Sequence, residues 1–513
     1  MRRVVASLVV VLVAGCGVFS SDPSSGGESP PPDGKTPEEN AKPPVVPVGG
    51  PAPPGIYVSS SMGAADGSGS DGRPLKTLAA AFAQARADRL PVIACAEEFA
   101  ESLTLLDGVS AYGYFDCKSG WKRTALHAVV RSPTSPGAVA RDLALPTRIE
   151  GFDIYAPDVD GAPATAEAST SIGLEVRNGK KLLIAESSIH AGRGANGVDG
   201  VQAPSNGHVA SAMGASGVAQ GPGACNPNLS NCDTRKVIGP AGPSGACVIG
   251  VGGSGGAGGD GTWYSRPSNV FSNPTTWRGK PLAAGPATGL GGAPGLGAPN
   301  GSPGATGNDG ANGTWTIARA GYAIGSGLAG AAGGPGQGGG GGGGAQYING
   351  MPSTPAGFDD YFRSATGGSG GAGGCPGQPS KPGTGGGASI AMLVVDSDVT
   401  ITASRLESSN GGRAGRGFFG GIGTVGGGGG AAVTFSGKGG DGGTGGSAGF
   451  SGHGAPGPSI ALVYAGAKPA LDRVALTPGP AGAGYPEEQR TDGARVVTLP
   501  AVTGASLAEY VIP

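Results

Sequence analysis

The run SIALVY occupies residues 459–464, and two similar runs precede it, SIAMLV at 389–394 and SIGLEV at 171–176. Each copy begins with serine and isoleucine and continues with apolar residues that favour strands. The chain between the copies is rich in glycine. A short strand repeated across glycine-filled gaps is typical of a solenoid whose turns carry long inserted loops.

A second regularity is a pair of apolar residues five positions apart, which occurs four times. In a flat strand the two members would point to opposite faces, because side chains alternate with a period of two. A bend between them returns both side chains to the interior, and a bent pair of strands in each turn is expected of a parallel β-helix. The pairs are Ile149 with Ile154, Ile184 with Ile189, Ile401 with Leu406, and Leu471 with Leu476.

The folded part is predicted to begin at Ile56 with a strand, a loop at Asp66–Asp71 and an amphipathic helix. A stacked solenoid has to seal its exposed apolar end, so we expect this helix to form a cap. Strands are predicted next at 92–96, 102–106 and 109–115. The apolar residues at helical spacing are Leu75, Leu78, Ala81, Phe82 and Ala85.

The stretch GIYVSSSMGAADGSGSDGRPLKTLAAAFAQA at 55–85, then LLDGVSAYGYF at 105–115 and the SIGLEV repeats, resemble bacterial β-helix proteins of the pectin-lyase-like superfamily. The resemblance implies a fold more strongly than an activity. The expected fold is all-β: a right-handed parallel β-helix (solenoid) with an N-terminal capping helix and long glycine-rich loop insertions on one face. The expected divisions are 56–190 for the capped β-helix, 191–388 and 407–458 for the insertions, 389–406 for one turn and 459–513 for a turn with C-terminal strands.

The insertions start at one place in the repeat, just after the second member of an apolar pair, at Ala191, Glu407 and Thr477. Loops that leave equivalent positions of a solenoid emerge on one side. Within them, 301–313 carries glycine at every third residue, which favours extended threefold helices, although such runs are too short for a collagen triple helix. Packed polyglycine-type helices and disorder both remain open. Runs such as GGPGQGGGGGGGA resemble in composition the glycine-rich (PGRS-like) repeats of mycobacterial surface proteins.

The N-terminus is predicted to be an export signal at 1–15, with Arg2 and Arg3 before a short apolar stretch. The residues Val13-Ala14-Gly15-Cys16 resemble a bacterial lipobox, which implies a lipoprotein whose Cys16 carries the lipid. Residues 16–55 are rich in proline and serine and are predicted to be a disordered tether. By resemblance, Gly17 after the lipidated cysteine favours the outer membrane.

Six cysteines remain, an even number that fits disulfides in an exported protein. Cys95 and Cys117 are about one solenoid turn apart, and adjacent turns lie within reach of a disulfide. Cys225 with Cys232 would close a small loop, leaving Cys247 to pair with Cys375, but these pairings and free thiols stay open. The chain has no CxxC spacing, so no metal site is predicted.

No catalytic constellation or cofactor site is predicted. Gly452-His453-Gly454 is similar to an element of polygalacturonases, but the aspartates of that family have no counterpart near it. Oxygen-bearing residues at 66–71 and at Asp158 and Asp160 would suit calcium, but neither set completes a calcium-loop pattern, and the favoured interpretation is that they form turns. Adjacent Asp359 and Asp360 are predicted to lie in a solvated loop.

The aromatic residues of the insertion are candidate surface contacts, because exposed rings stack on sugars or anchor protein partners. The favoured interpretation is that they form a small core within the insertion. The candidates are Trp263, Tyr264, Trp277 and Trp315.

With 34 basic and 36 acidic residues the chain carries no electrostatic footprint for nucleic acid. The expected function is therefore a cell-envelope protein attached by its N-terminal lipid. Its role would be structural or adhesive, toward polysaccharide or envelope proteins, without catalysis. The alternatives are a polysaccharide lyase or glycoside hydrolase of the β-helix type and a calcium-dependent carbohydrate-binding module.

Overall fold

A computed structural model describes residues 47–159, 169–218, 236–262, 297–348, 362–433, 436–492 and 495–513. The predicted signal peptide and Cys16 lie outside these ranges. So do Asp160, the pair Asp359 and Asp360, and five candidate residues of the first insertion. These five are Cys225, Cys232, Trp263, Tyr264 and Trp277.

The described residues form one α-helix, α1 (Leu78–Asp88), and a series of short strands. In chain order the strands are β1 (Ile56–Val58), β2 (Val92–Cys95), β3 (Glu98–Phe99), β4 (Leu103–Leu105), β5 (Ala111–Asp116), β6 (Lys122–Arg123), β7 (Ala128–Arg131), β8 (Ala138–Arg141), β9 (Thr147–Glu150), β10 (Phe152–Tyr155), β11 (Ser171–Arg177), β12 (Leu182–Ala185), β13 (Ser188–His190), β14 (Lys236–Val237), β15 (Gly261–Thr262), β16 (Thr316–Ala318), β17 (Gly321–Ala323), β18 (Ala345–Ile348), β19 (Phe362–Ala365), β20 (Ser389–Val395), β21 (Val399–Thr402), β22 (Arg405–Glu407), β23 (Ser459–Ala465), β24 (Ala470–Asp472), β25 (Ala475–Thr477), β26 (Glu488–Asp492), β27 (Arg495–Leu499) and β28 (Ser506–Val511).

Three large sheets built from parallel pairs dominate the protein, which is therefore of the all-β class. Sheet I has the order β1-β2-β5-β9-β12-β21-β24, with β6 antiparallel to β5. Sheet II has the order β28-β23-β20-β11-β8-β4, and sheet III the order β25-β22-β13-β10-β7-β3. From β8 to β25 the strands of these sheets follow one another in the rotation II, I, III, and neighbours in a sheet come from successive rotations.

The quoted repeats pair with one another in register. Ser171, Ser389 and Ser459 are Cα partners on three adjacent strands of sheet II. In sheet I, Ile184 pairs with Ile149 and with Ile401, which in turn pairs with Leu471. The second members of the apolar pairs align in the same way in sheet III.

The predicted bend between the two members of each apolar pair is present, and a residue with positive φ forms it. These residues are Gly151 (φ 72), Glu186 (φ 42), Ala403 (φ 46) and Arg473 (φ 53). The left-handed conformation turns the chain from sheet I to sheet III. Both members of the first three pairs are consequently buried in one apolar core, against which Leu471 and Leu476 pack more loosely.

Helix α1 packs against β1, β2 and β4, and two of these, β1 and β4, are the terminal strands of sheets I and II. The hydroxyl of Thr77 accepts a hydrogen bond from the amide of Ala80 and so caps the helix N-terminus. The helix buries Leu78, Ala81, Phe82 and Ala85, as predicted, whereas Leu75 precedes it. No helix among the described residues is long and apolar enough to cross a membrane.

Residues 49–52, predicted to belong to the N-terminal tether, make backbone contacts with another part of the chain. The amide of Gly49 donates to the carbonyl of Arg123, and that of Ala52 donates to Trp121. Pro51 forms an antiparallel bridge with Lys122. Residues 49–52 thus lie along the free edge of β6, where their backbone groups make hydrogen bonds. The sequence pattern does not indicate this pairing.

Each long excursion leaves the end of a sheet III strand and returns at the start of a sheet II strand. The chain leaves after His190, Glu407 and Thr477, which are aligned Cα partners, and returns at the aligned residues Ser389, Ser459 and Ser506. Of the predicted starts, Glu407 and Thr477 are aligned Cα partners, and Ala191 directly follows their partner His190.

The glycine-rich chain is packed, in the described part, as parallel and antiparallel extended segments. Glycines 301, 304, 307, 310 and 313 donate in turn to the carbonyls of residues 441, 444, 447, 450 and 453. Partners that recur every third residue on both segments indicate threefold extended helices, which make no internal hydrogen bonds. We call the set the glycine lattice; its segments are 192–218, 238–245, 252–260, 298–313, 325–344, 366–388, 408–431, 436–458 and 478–484.

At most of the closest contacts between lattice segments the residue is glycine. A Cβ atom added to Gly442 would lie 1.9 Å from the carbonyl oxygen of Ala372, and one added to Gly446 would lie 1.9 Å from that of Ala305. The central segment 366–388 has neighbours on several sides and is almost entirely buried. Segment 408–431 keeps one row of larger residues that includes Arg416, Ile422 and Val425.

Candidate functional site

The outward face of sheet III carries a row of polar and aromatic side chains on adjacent strands. We call the row Arg131, Tyr155, His190 and Glu407 the polar ladder; its members are consecutive Cα partners on β7, β10, β13 and β22. The guanidinium carbon of Arg131 lies 4.6 Å from the centre of the Tyr155 ring. That ring stacks on His190 at 4.3 Å, and His190 Nδ1 lies 3.0 Å from a carboxylate oxygen of Glu407.

A second histidine–carboxylate pair lies beside the ladder. His127 Nδ1 is 3.0 Å from Asp153 Oδ1. Partial burial raises the pKa of Asp153, but the hydrogen bonds from His127 and Ser188 outweigh it and hold that pKa below its ordinary value. Asp153 is therefore a carboxylate at neutral pH and not a proton donor.

The pKa of His190 is lowered by burial, with the Glu407 charge opposing the shift. Asp153 and Glu407 lie two strands apart and two residues offset, about 12 Å at standard strand spacing and rise. Glycoside hydrolases hold their two carboxyl groups about 5 to 9.5 Å apart. By this estimate Asp153 and Glu407 are spaced more widely than a hydrolase pair.

A cleft with a volume of about 810 Å³ lies between sheet II and the β16–β17 hairpin. The hairpin covers the outer face of β20 and β23, where Ile317 and Tyr322 pack on Ile390 and Leu393. Beside β11 and β8 the same face is open to solvent. Ile172, Glu175 and Arg177 of β11 line that open part.

Glu175 is the charged centre of the cleft. Its carboxylate accepts hydrogen bonds from Arg141 Nη2 at 2.6 Å and from Arg177 Nε at 2.5 Å. Burial raises the pKa of Glu175, but these two hydrogen bonds outweigh it and keep the group ionised. The Arg141 side chain is more than half exposed, so this cation faces the cleft and suits an anionic or polar ligand.

Trp315 is the one predicted surface contact that lies within the described residues. It is half-buried, and its ring meets Tyr510 edge to face at 5.6 Å. Trp315 also lines a recess of about 300 Å³ together with Pro456 and Thr503. Trp315 therefore packs on one side and remains accessible on the other, and its contact with a partner stays a prediction.

His453 is fully buried in the glycine lattice. Its Nδ1 accepts a hydrogen bond from the amide of Gly417 at 2.9 Å, and its ring stacks on Tyr485 at 4.8 Å. Burial lowers the pKa of His453. The similarity of this triplet to a polygalacturonase element has no catalytic counterpart, because substrate has no access to the ring.

The loop at Asp66–Asp71 uses its oxygens within the loop. Asp71 Oδ1 accepts from the amide of Gly72 at 2.9 Å, and Asp66 lies 3.4 Å from Arg73. Asp158 likewise pairs with Arg193 at 3.1 Å. These contacts are those of turns and surface ion pairs and do not form a converging set of calcium ligands.

Two disulfides are present among the described cysteines. Cys95 bonds to Cys117, the pair predicted from the one-turn spacing, and Cys247 bonds to Cys375. The second links segment 366–388 to the turn at 246–251, so it fastens two lattice segments to each other.

Neither the polar ladder nor the Glu175 cleft was predicted, although the sequence carries a signal for each. Tyr155, His190 and Glu407 each directly follow the second member of an apolar pair. Glu175 occupies the position of Leu393 in the aligned repeat. A charge at an otherwise apolar position of a repeat indicates that this strand face is open.

Comparison of the chain with protein-family models, with curated proteins and with solved structures finds no match in any of the three.

Proposed function

We propose that this protein is a lipid-anchored cell-envelope protein in which a right-handed parallel β-helix supports the glycine lattice as a rigid contact surface. Its role is adhesive or structural and does not include catalysis. The partners are apolar or polysaccharide surfaces and other envelope proteins, and the likeness to mycobacterial glycine-rich repeats belongs to this proposal.

The rotation of strands among sheets II, I and III supports the β-helix. Successive rotations pair in register, and positive-φ residues form the corners between sheets I and III. Parallel strands that return to neighbouring positions require crossover connections, which are right-handed in nearly all proteins. Helix α1, packed on the terminal strands β1 and β4, serves as the cap.

The observation that carries the functional proposal is the apolar exterior of the glycine lattice. Because many contacts between segments leave no room for a Cβ atom, many large side chains of the lattice are exposed, although a few such as His453 and Phe450 are buried. Exposed apolar residues mark interaction surfaces when they are gathered on one part of a protein. Most of the strongly exposed apolar residues belong to the glycine-rich insertions, and they are Val198, Val201, Val209, Met213, Val218, Ile238, Val248, Ile249, Val251, Leu328, Ile422 and Val425.

Two adjacent lattice segments bring part of this set together. The amide of Gly214 donates to the carbonyl of Gly428, so segments 192–218 and 408–431 lie side by side. Met213 Cε is 3.7 Å from the Cβ position of Gly428, next along the row that holds Ile422 and Val425. A contiguous apolar strip on a rigid backbone loses little conformational entropy on contact, which favours adhesion.

The test is cell adhesion to an apolar surface with the full-length protein displayed by its own signal sequence. Ile422→Thr with Val425→Thr removes apolar area at residues that are 55% and 74% exposed. The matched control is Leu126→Thr with Leu145→Thr, at residues 68% and 56% exposed outside the lattice. We expect the first variant to adhere less and the second to behave as the unaltered protein.

Equal adhesion by the two variants at equal surface abundance would overturn the adhesive role. The anchor is tested separately, since Cys16→Ala should release the protein from the membrane fraction. Retention of that variant in the membrane fraction would contradict lipidation.

A second candidate function is the binding of an acidic polysaccharide in the Glu175 cleft, followed by cleavage in the manner of a β-helix lyase. The accessible Arg141 guanidinium favours an anionic ligand. Incubation of the protein with acidic glycans tests this candidate. Unsaturated or shortened products would establish the enzyme. The candidate would be removed if no products form and if Arg141→Gln binds the glycans as the unaltered protein does. A calcium-dependent sugar-binding module has less support, because the oxygens of the 66–71 loop are engaged within the loop.

A further inference from the structure

The Cys247–Cys375 disulfide has a histidine beside it. His208 forms an antiparallel bridge with Cys247. One ring nitrogen of His208 and the two sulfur atoms all lie within 4.8 Å of one another. The three residues come from the outer segment 192–218, the turn at 246–251 and the central segment 366–388, so this point joins three parts of the glycine lattice.

The imidazole of His208 has no polar partner among the described residues. Both of its ring nitrogens are shielded from solvent, and neither makes a hydrogen bond. A neutral imidazole carries one donor and one acceptor, and leaving such groups buried without partners is costly. The shielded imidazole lies against two sulfur atoms, so a state of the protein in which a ring nitrogen binds a ligand would remove this cost.

The donor set provides that state. Two thiolates and one imidazole are ligands that Zn²⁺ and Co²⁺ prefer, with tetrahedral geometry and a fourth position for water or another donor. The Cα atoms of Cys247 and Cys375 are 5.8 Å apart, so the two sulfur atoms remain adjacent after the bond between them is broken. The ligands are far apart in sequence, which explains why no short metal-binding motif is present.

We propose that reduction of the Cys247–Cys375 disulfide converts this junction into a binding site for a divalent cation of the zinc class, held by Cys247, Cys375 and His208. A dithiol supplies two electrons and two protons, giving two protein thiols and the oxidised dithiol. Binding of the cation then releases the two thiol protons. The disulfide and the metal are alternative links across one junction, the first for oxidising and the second for reducing conditions.

The other disulfide serves as an internal control. Glu97 lies beside Cys95 and Cys117 in a similar cluster of three potential ligands. Its carboxylate, however, already accepts hydrogen bonds from the hydroxyl of Ser61 at 2.7 Å and from backbone amides of the same loop. These hydrogen bonds lower the pKa of Glu97 although burial raises it, so this donor is occupied and no metal site is expected there.

The experiment compares alkylation of individual cysteines in the full-length protein after reduction by dithiothreitol and removal of the reductant without air. Peptide mass mapping follows each cysteine with and without Zn²⁺. We expect Zn²⁺ to slow alkylation of Cys247 and Cys375 and to leave Cys95 and Cys117 unaffected. Equal rates with and without Zn²⁺ at Cys247 and Cys375 would overturn the proposal.

His208→Asn tests the third ligand. We expect the reduced wild-type protein to bind about one more equivalent of Co²⁺ than the reduced variant, with a cobalt–thiolate absorption band that the oxidised protein lacks. The thermal midpoint of the oxidised variant reports separately on its folding. A variant that folds and still protects both cysteines as the wild type does would refute the role of His208.

Discussion

Gly427 and Gly428 are adjacent in the chain but differ in what a methyl group would meet. A Cβ atom on Gly427 would lie 1.7 Å from the carbonyl oxygen of Ala212, whereas one on Gly428 would meet nothing closer than Met213 Cε at 3.7 Å. Gly427 is buried and Gly428 half-buried. We therefore predict that Gly427→Ala disrupts the glycine lattice and that Gly428→Ala does not.

The magnitude follows from the contact distance. Cβ atoms do not approach other atoms closer than 3.0 Å, so segment 192–218 would have to move away by about 1.3 Å. That movement breaks the hydrogen bond from Gly214 to Gly428 and the one from Ala372 to Ala212, both 2.8 Å long. Two buried bonds left unmade cost about 2 to 6 kcal/mol. At Gly428 the methyl group adds no clash and gains about 0.4 to 1 kcal/mol by restricting the unfolded chain.

The assay is hydrogen exchange of the lattice segments, read by mass spectrometry, together with thermal unfolding of the full-length protein. Local opening free energies suit a large chain better than a single global value. Gly427→Ala should increase exchange in 192–218 and 408–431 while the strands of sheet I stay protected. Equal exchange in the two variants would refute the packing of these segments through glycine.

Three further changes test other parts of the structure. His453→Gln should make the free energy of unfolding less dependent on pH on the acid side. The pKa of His453 in the folded protein lies below its ordinary 6.5, so its contribution to stability is full above pH 6.5 and is lost as the pH falls through the folded pKa, by up to about 1.4 kcal/mol per pH unit. An unchanged acid slope in the variant would contradict this. Replacing Cys95 and Cys117 by serine opens a 22-residue link and should lower the free energy of unfolding by about 3 kcal/mol in denaturant titrations without reductant, with no difference when reductant is present. Ile401→Ala, at a fully buried site, should cost about 2 to 5 kcal/mol, clearly more than Leu476→Ala at a half-buried one.

The arrangement of the strands could be predicted because it depends on short-range patterns. The spacing between Ile184 and Ile189 requires a bend, and the bend is present at Glu186 with φ 42. The identity of the bend residue could not be predicted, since glutamate, alanine and arginine all occupy it although none favours positive φ. Packing of the two buried members determines the corner and overrides local preference.

The packing of the glycine segments could not be decided from one segment alone. Threefold periodicity at 301–313 allows either packing or disorder, because its stability depends on neighbours that come from distant parts of the chain. The number of glycine rows on a segment indicates how many neighbouring segments it can contact closely. Segment 298–313 has one row, whereas 436–458 has two, as its GGx pattern shows, and it contacts more neighbours.

The repeated serine explains how the sheets and the glycine lattice are kept in register. Ser171 Oγ accepts from the amide of Gly192 at 2.9 Å, and Ser389 Oγ donates to the carbonyl of Gly192 at 2.7 Å. Ser389 Oγ also accepts from the amide of Ser409 at 2.8 Å, and Ser459 Oγ donates to the carbonyl of Ser409 at 2.6 Å. The first two excursions are thus held at their first residues by hydroxyls from two adjacent strands of sheet II. A threefold segment has no internal hydrogen bonds, so nothing within it fixes its position along the neighbouring segments. The serines therefore pass the alignment of the sheet II strands on to the lattice segments. The distance between adjacent strands then sets the distance between adjacent segments, at which only glycine fits.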